Sequence, residues 1–89
     1  MKLYLVHCGF YDSELCEGIY EGHINLFVAA ENFDQAKSKV RTEPEFQKKK
    51  MHVDGLQEIE LVNGFQVNLV KDQNRMEQTV LNSNRHRDL

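Results

Sequence analysis

The sequence predicts a small α+β or α/β domain with the element order β-β-α-β-β. A four-stranded mixed sheet would carry one main helix on one face, and a polar C-terminal tail would follow. The 89 residues are 40% hydrophobic and 28% charged, which is typical of one soluble globular domain. Four short apolar segments have the composition of strands, and one segment has the period of an amphipathic helix. We therefore expect a single domain over residues 1–71 and a tail over residues 72–89.

The first two strands are predicted over residues 2–8 and 23–30. Leu3 and Leu5 point to one side of the first strand and Tyr4 and Val6 to the other, which favours a central strand covered on both faces. Gly9 is expected to end this strand. A loop over residues 10–22 would then join the two strands, and loops of this length are often functional.

The helix is predicted to begin after Asn32, a good N-cap, with Gln35 completing a capping box. Its apolar stripe consists of Phe33, Ala36 and Val40. Pro44 requires the helix to end by residue 43, and it is suited to open a second short turn.

Strands three and four are predicted over residues 56–61 and 65–70, and two turns fit the link between them. A two-residue type I′ turn at Asn63 and Gly64 would pair Val62 with Phe65. A three-residue loop with Gly64 left-handed would instead pair Leu61 with Phe65. The second register collects the apolar residues on one face, so we expect it to be preferred.

Composition also excludes several classes of protein. The net charge is −3, with 11 basic and 14 acidic residues, which disfavours nucleic acid as a partner. No apolar run approaches the roughly 20 residues of a membrane span, and no signal peptide is evident. Cys8 and Cys16 form no metal or redox motif, so we expect reduced thiols in a cytoplasmic protein.

In the tail, Met76 and Val80 are spaced for a short docked helix, and the remainder is expected to be disordered.

Two polar pairs are the candidate functional residues. Glu21 with His23 precedes strand two, and His52 with Asp54 precedes strand three. Residues two apart in an extended segment point to the same side, so each pair can converge on one point. If strands two and three are parallel neighbours, all four side chains lie at one end of the sheet. This set suits Zn, Fe or Mn, or acid–base chemistry, with His7 as a third imidazole. The alternative is structural: histidines bonded to backbone carbonyls, an Asx turn at Asp54, and a core role for His7.

Four segments together resemble a known family. They are residues 1–6 (MKLYLV), 21–30 (EGHINLFVAA), 51–55 (MHVDG) and 62–69 (VNGFQVNL). The sequence resembles a small bacterial domain-of-unknown-function family, the DUF1543-like unit, which is found as one or two copies per chain. The resemblance covers roughly residues 1–70. It implies that Glu21, His23, His52 and Asp54 form the family's acid–His and His-x-Asp motifs, and it implies no reaction, because the family has no assigned activity.

Two function hypotheses follow. The first is a homodimeric binding or interaction module, in which a second copy covers the sheet face that one helix leaves open. This hypothesis requires no cofactor, no nucleic acid and no membrane. The alternative is an enzyme that binds a divalent metal ion or a small molecule through Glu21, His23, His52 and Asp54. The sequence names no substrate, protein partner or reaction.

Overall fold

A three-stranded antiparallel sheet forms the centre of the domain. The computed structural model describes residues 1–11, 21–75 and 77–81. The strands are β1 (Lys2–Tyr11), β2 (Glu21–Ala30) and β3 (His52–Ile59), in the order β2-β1-β3. The predicted central position of the first strand is confirmed, but the expected cover on both of its faces is wrong, because Leu3 and Leu5 are only half-buried on one face. Because β2 and β3 are both antiparallel to β1, they run in the same direction, with β1 between them.

The two faces of the sheet differ in what covers them. Tyr4, Val6 and Cys8 point to one face and are fully buried. The rest of the core is apolar and consists of Val28, Ala30, Ala36, Val40 and Met51. The other face, which we call the open face, carries the side chains of the odd-numbered residues of β1. On this face the half-buried Leu3 and Leu5 lie at one end, and His7, Gly9 and Tyr11 continue toward the other.

Two short helices, rather than one main helix, connect β2 to β3. They are α1 (Phe33–Arg41) and α2 (Pro44–Lys48). The predicted N-cap is confirmed, because Asn32 Oδ1 accepts from the backbone N–H of Gln35 at 2.8 Å. Gln35 Oε1 accepts in return from the backbone N–H of Glu31 at 2.8 Å, one residue earlier than in a standard capping box. Pro44 occupies the first turn of α2, where its missing N–H leaves no helical bond unmade.

The predicted four-stranded mixed sheet is wrong. β4 (Leu61–Val62) and β5 (Phe65–Gln66) form a separate two-stranded hairpin, and all strand pairs among the described residues are antiparallel. β3 begins four residues earlier than predicted and ends two residues earlier. Alternation of apolar residues over 65–70 indicated a strand, but Phe65 is 77% exposed and Val70 is 90% exposed. Without a buried face, this segment lacks the packing that extends a strand pair.

The predicted three-residue loop at this hairpin is also wrong. Val62 pairs with Phe65 and Leu61 pairs with Gln66, the register of the two-residue turn. Asn63 and Gly64 have φ angles of 50° and 85°, as a type I′ turn requires. Both strands of the hairpin are exposed, so burial of one face does not select the register and the Asn-Gly turn alone sets it.

Gly9 does not end the first strand, which continues to Tyr11, and the second strand begins at Glu21 rather than at residue 23. The expected long loop over residues 10–22 is therefore shorter at both ends. The interpretations that concerned Cys16 and the middle of this loop lie outside the described residues, as do those for Met76 and residues 82–89.

Residues 77–81 contain no helix, and Val80 is 51% exposed. In the part of the chain that is described, no helix is long and apolar enough to cross a membrane.

Candidate functional site

The four predicted site residues lie together on the open face. We call Glu21, His23, His52 and Asp54 the histidine–carboxylate cluster. Glu21 and His23 are the first and third residues of β2, and His52 is the first residue of β3. Because β2 and β3 run in the same direction on either side of β1, their first residues meet at one end of the sheet. His23 and His52 are both register partners of Gly9.

Asp54, the fourth residue of the cluster, is the extra residue of a β-bulge in β3. Val53 is the partner of Cys8 and Gly55 is the partner of His7, so Asp54 has no partner on β1. An extra residue of this kind bends the strand locally and re-aims a side chain. Without the bulge, strict alternation would put His52 and Gly55 on opposite faces. His52 and Asp54 share the open face by simple alternation, and the bulge brings Gly55, the register partner of His7, to the same face.

The polar atoms of the cluster are close to one another. His52 Nε2 lies 3.0 Å from Asp54 Oδ1 and 3.3 Å from Glu21 Oε1. His23 Nδ1 lies 3.3 Å from the other carboxylate oxygen, Asp54 Oδ2, and His23 Nε2 lies 3.8 Å from Glu21 Oε1. Each imidazole therefore contacts both carboxylates, and each carboxylate contacts both imidazoles.

Gly9 forms the floor beneath this cluster. A Cβ placed on Gly9 would lie 2.5 Å from Asp54 Oδ2, 2.6 Å from His52 Nε2 and 2.9 Å from Glu21 Oε1. Contacts this short do not occur in folded proteins, so any other residue would push the three side chains apart. Gly9 lies inside a strand, where glycine weakens the structure and often marks a close approach by a ligand or another group. Here the close approach is that of three potential ligand atoms.

His7 is the next residue on the open face and adds a third imidazole. Its ring stacks on the ring of His23, with centroids 4.9 Å apart and an interplanar angle of 5°. His7 Nδ1 lies 2.8 Å from Asn25 Oδ1. The amide oxygen only accepts hydrogen bonds, so His7 Nδ1 carries the proton and Nε2 keeps a free lone pair. The structural alternative of a core His7 is not what is observed, because its ring belongs to the open face.

Two sets of three potential ligands share one residue. The first set is Glu21, His52 and Asp54, and the second is His7, His23 and Asp54. Within each set, one ligand atom per residue lies within 4.8 Å of the others. The four cluster side chains are 32–43% exposed, so water and solutes reach them. With neutral imidazoles, the two carboxylates give the site a charge of −2.

The electrostatic influence of the cluster extends through the sheet. Cys8 lies on the buried face, next in sequence to Gly9, and its thiol is free. Burial raises the pKa of the Cys8 thiol, and the negative charge of Asp54 raises it further. Cys8 is a small residue of the core, and its protonated thiol is a poor nucleophile at neutral pH.

Sequence reasoning missed the roles of Gly9 and Asn25. Gly9 was interpreted as the end of a strand, although a glycine inside an apolar run is also a signal of close approach. Asn25 lies two residues after His23, so it shares the face of Glu21 and His23 by simple alternation. This spacing is the signal that would have grouped it with the candidate residues.

One protein family matches the chain. The family is described as Domain of Unknown Function (DUF1543), and its model matches residues 19–69. The match covers more than half of the chain, so the chain belongs to this family. The matched range contains all four residues of the histidine–carboxylate cluster, whereas His7 and Gly9 precede it. No curated protein and no solved structure matches the chain.

Proposed function

We propose that this DUF1543 domain binds a divalent transition-metal ion, Zn²⁺ or a similar ion, at the histidine–carboxylate cluster. The observation that carries the proposal is the convergence of Glu21 Oε1, His52 Nε2 and an Asp54 oxygen above Gly9. Imidazole nitrogen and carboxylate oxygen are ligands that zinc, iron and manganese accept in proteins.

The distances between the ligand atoms favour coordination. Zinc binds nitrogen and oxygen at about 2.0–2.2 Å, so the edges of its tetrahedron measure about 3.3–3.6 Å. His52 Nε2 lies at 3.0 and 3.3 Å from the two carboxylate oxygens, and His23 Nδ1 lies 3.3 Å from Asp54 Oδ2. Shifts of a few tenths of an ångström would therefore convert the present contacts into a coordination shell.

The charge of the site favours a cation. Without an ion, His52 Nε2–H donates to Glu21 Oε1 at 3.3 Å and lies 3.0 Å from Asp54 Oδ1, so one proton lies beside two carboxylates. A divalent ion would take the place of that proton and neutralise both charges, which requires the imidazole to be deprotonated at Nε2. Two carboxylates held this close repel each other unless a cation lies between them.

A purely structural role explains the cluster less well. Ion pairs between side chains that are 32–43% exposed contribute only about 0–1 kcal/mol each. In contrast, glycine inside a strand is destabilising by roughly 0.5–1 kcal/mol, because it loses more chain entropy on folding. The ion pairs together with the glycine beneath them therefore give little net stability. For a ligand site, in contrast, Gly9 is useful because it lets the three ligand atoms come close together.

A metal titration of chelator-treated protein tests this proposal. We expect ITC with ZnCl₂ to show at least one equivalent bound per chain. His52→Gln and Asp54→Asn should each weaken binding by about tenfold or more. Asp72→Asn is the matched control, because Asp72 is an exposed carboxylate outside the cluster whose Oδ2 lies 3.6 Å from Arg75. Absence of binding in the wild type, or wild-type affinity in both cluster variants, would overturn the proposal.

A second candidate function is the homodimeric interaction module. The end of the open face away from the cluster carries apolar side chains: Leu3, Leu5, Phe27 and Ile59. Phe27 is 40% exposed, and apolar patches on a sheet often mark contacts between proteins. A second copy of the chain would cover this patch. Light scattering after gel filtration should then show a dimer in the wild type and a monomer for Phe27→Glu, and a monomeric wild type at micromolar concentration would contradict this function.

A further inference from the structure

The open face carries a second set of ligands beside the first, and Asp54 lies between them. We propose that the site holds two divalent ions bridged by the Asp54 carboxylate, the second of them on His7 and His23. This inference rests on the proposed function, because the first ion occupies the set formed by Glu21, His52 and Asp54.

The two oxygens of Asp54 face different imidazoles. Oδ1 lies 3.0 Å from His52 Nε2, and Oδ2 lies 3.3 Å from His23 Nδ1. One carboxylate that presents one oxygen to each of two nitrogen ligands has the arrangement of a bridging ligand. The bulge places Asp54 opposite the step between His7 and Cys8, and so between the two sets. Metal ions that share such a bridge are typically about 3.5–4 Å apart.

His7 is held in the tautomer that a metal ligand needs. Its Nδ1–H donates to Asn25 Oδ1 at 2.8 Å, which leaves Nε2 free to bind an ion. Histidines that bind metals usually donate their other ring nitrogen to such an acceptor, which fixes the orientation of the ring. Stacking on His23 at 4.9 Å restricts the His7 ring further. Asn25 is thus a positioning residue for the second site.

The open-face residues of the three strands place no lysine or arginine beside the second position. The described side chains facing this point are three histidines, Asn25 and two carboxylates, and Gln57 follows on the same face. Lys49, whose ammonium group lies 4.5 Å from the centroid of the Phe10 ring, belongs to the other face. Among the open-face residues of β1, β2 and β3, histidine is the only basic residue type. Two bound ions would leave the centre with a charge of +2 and exposed to solvent.

A manganese titration of chelator-treated full-length protein tests the second site. Wild-type protein should bind two Mn²⁺ per chain by ITC. The EPR spectrum should change in form at the second equivalent, because a bridging carboxylate couples the spins of the two ions. His7→Phe keeps an aromatic ring to stack on His23 but removes the ligand nitrogen. This variant should bind one ion, with the first affinity within about threefold of wild type, and its EPR spectrum should stay that of an isolated ion.

Each outcome separates this inference from the proposed function. One ion in the wild type, without spin coupling, would overturn the two-ion centre and leave the proposed function intact. Two ions in the His7→Phe variant would overturn the assignment of His7. No ion in the wild type would overturn both. The spin-coupling measurement needs no variant, and His7→Gln provides a second substitution if His7→Phe fails to give the wild-type circular dichroism spectrum.

Discussion

Gly9→Ala is the substitution that separates a ligand site from a surface ion-pair network most clearly, because it removes no ligand. The added Cβ would lie 2.5 Å from Asp54 Oδ2, 2.6 Å from His52 Nε2 and 2.9 Å from Glu21 Oε1. Ordinary contacts begin near 3.4 Å, so Asp54 must retreat by about 0.9 Å and Glu21 by about 0.5 Å. Binding sites tolerate displacements of about 0.5 Å, and these shifts equal or exceed that tolerance.

We expect Gly9→Ala to weaken zinc binding by at least tenfold, which corresponds to about 1.4 kcal/mol of binding free energy. Displaced supporting groups in metal sites typically reduce affinity by about 10–100-fold. The clashing atoms are the ends of partly exposed side chains that can move aside, and alanine has the smaller chain entropy, so the free energy of unfolding should change by only about 1 kcal/mol or less. ITC with zinc measures the first effect, and urea unfolding of metal-free protein measures the second.

Gly55→Ala is the matched control for this experiment. Gly55 is also a glycine of the central sheet and lies beside the cluster, opposite His7. A Cβ at Gly55 would meet only the Cβ of His7, at 3.7 Å, which is an ordinary contact. Zinc affinity in Gly55→Ala should stay within about twofold of wild type. Unchanged affinity in Gly9→Ala, or an equal loss in both variants, would refute the reasoning.

Three further predictions concern the core and the sheet. Tyr4→Phe should raise the free energy of unfolding by about 1 kcal/mol in urea melts, because the buried hydroxyl has no hydrogen-bond partner among the described residues. A loss of stability would indicate that the Tyr4 hydroxyl does have a partner. Gly22→Ala should lower the melting temperature, since its Cβ would lie 2.6 Å from the tip of the Phe10 ring, and Gly22→Ala combined with Phe10→Leu should recover part of the loss. The raised pKa of Cys8 keeps its thiol protonated, so in a Cys16→Ser background iodoacetamide should label the folded protein slowly, and rapid labelling at pH 7 would contradict this expectation. The contribution of the protonated Cys8 thiol to stability is present below the ordinary thiol pKa and is lost as pH rises through the raised value.

Local signals in the sequence predicted the elements whose chemistry is local. Asn32 caps α1, Pro44 opens α2, and the apolar run around Tyr4 and Val6 identifies the central strand, although not which of its faces is covered. Each of these depends on neighbours within a few residues, so a single sequence contains the information.

The errors arose where the outcome depends on distant packing. Alternation over residues 65–70 predicted a fourth strand of the sheet. Phe65 is exposed, however, so no other part of the described structure packs against the apolar face of this segment. The same assumption favoured the wrong hairpin register at Asn63 and Gly64, where the turn residues alone decide. Patterns of apolar residues indicate that a face can be buried, and they do not indicate what will cover it.

The candidate site was predictable in composition but not in detail. The spacing of Glu21 with His23 and of His52 with Asp54 indicated two convergent pairs, and the pairs lie together because β2 and β3 run in the same direction. The bulge at Asp54, which puts Gly55 on the same face, is a property of strand pairing, so no spacing in the sequence reveals it. The role of Gly9 likewise depends on groups that are 12 to 45 residues distant along the chain.

A crystal structure of zinc-loaded protein, with anomalous diffraction collected above and below the zinc absorption edge, tests the central claim most directly. We expect an anomalous peak above Gly9, about 2.0–2.2 Å from His52 Nε2, Glu21 Oε1 and an Asp54 oxygen. Zinc bound elsewhere on the chain, or a cluster that keeps its direct imidazole–carboxylate contacts in the presence of excess zinc, would contradict it.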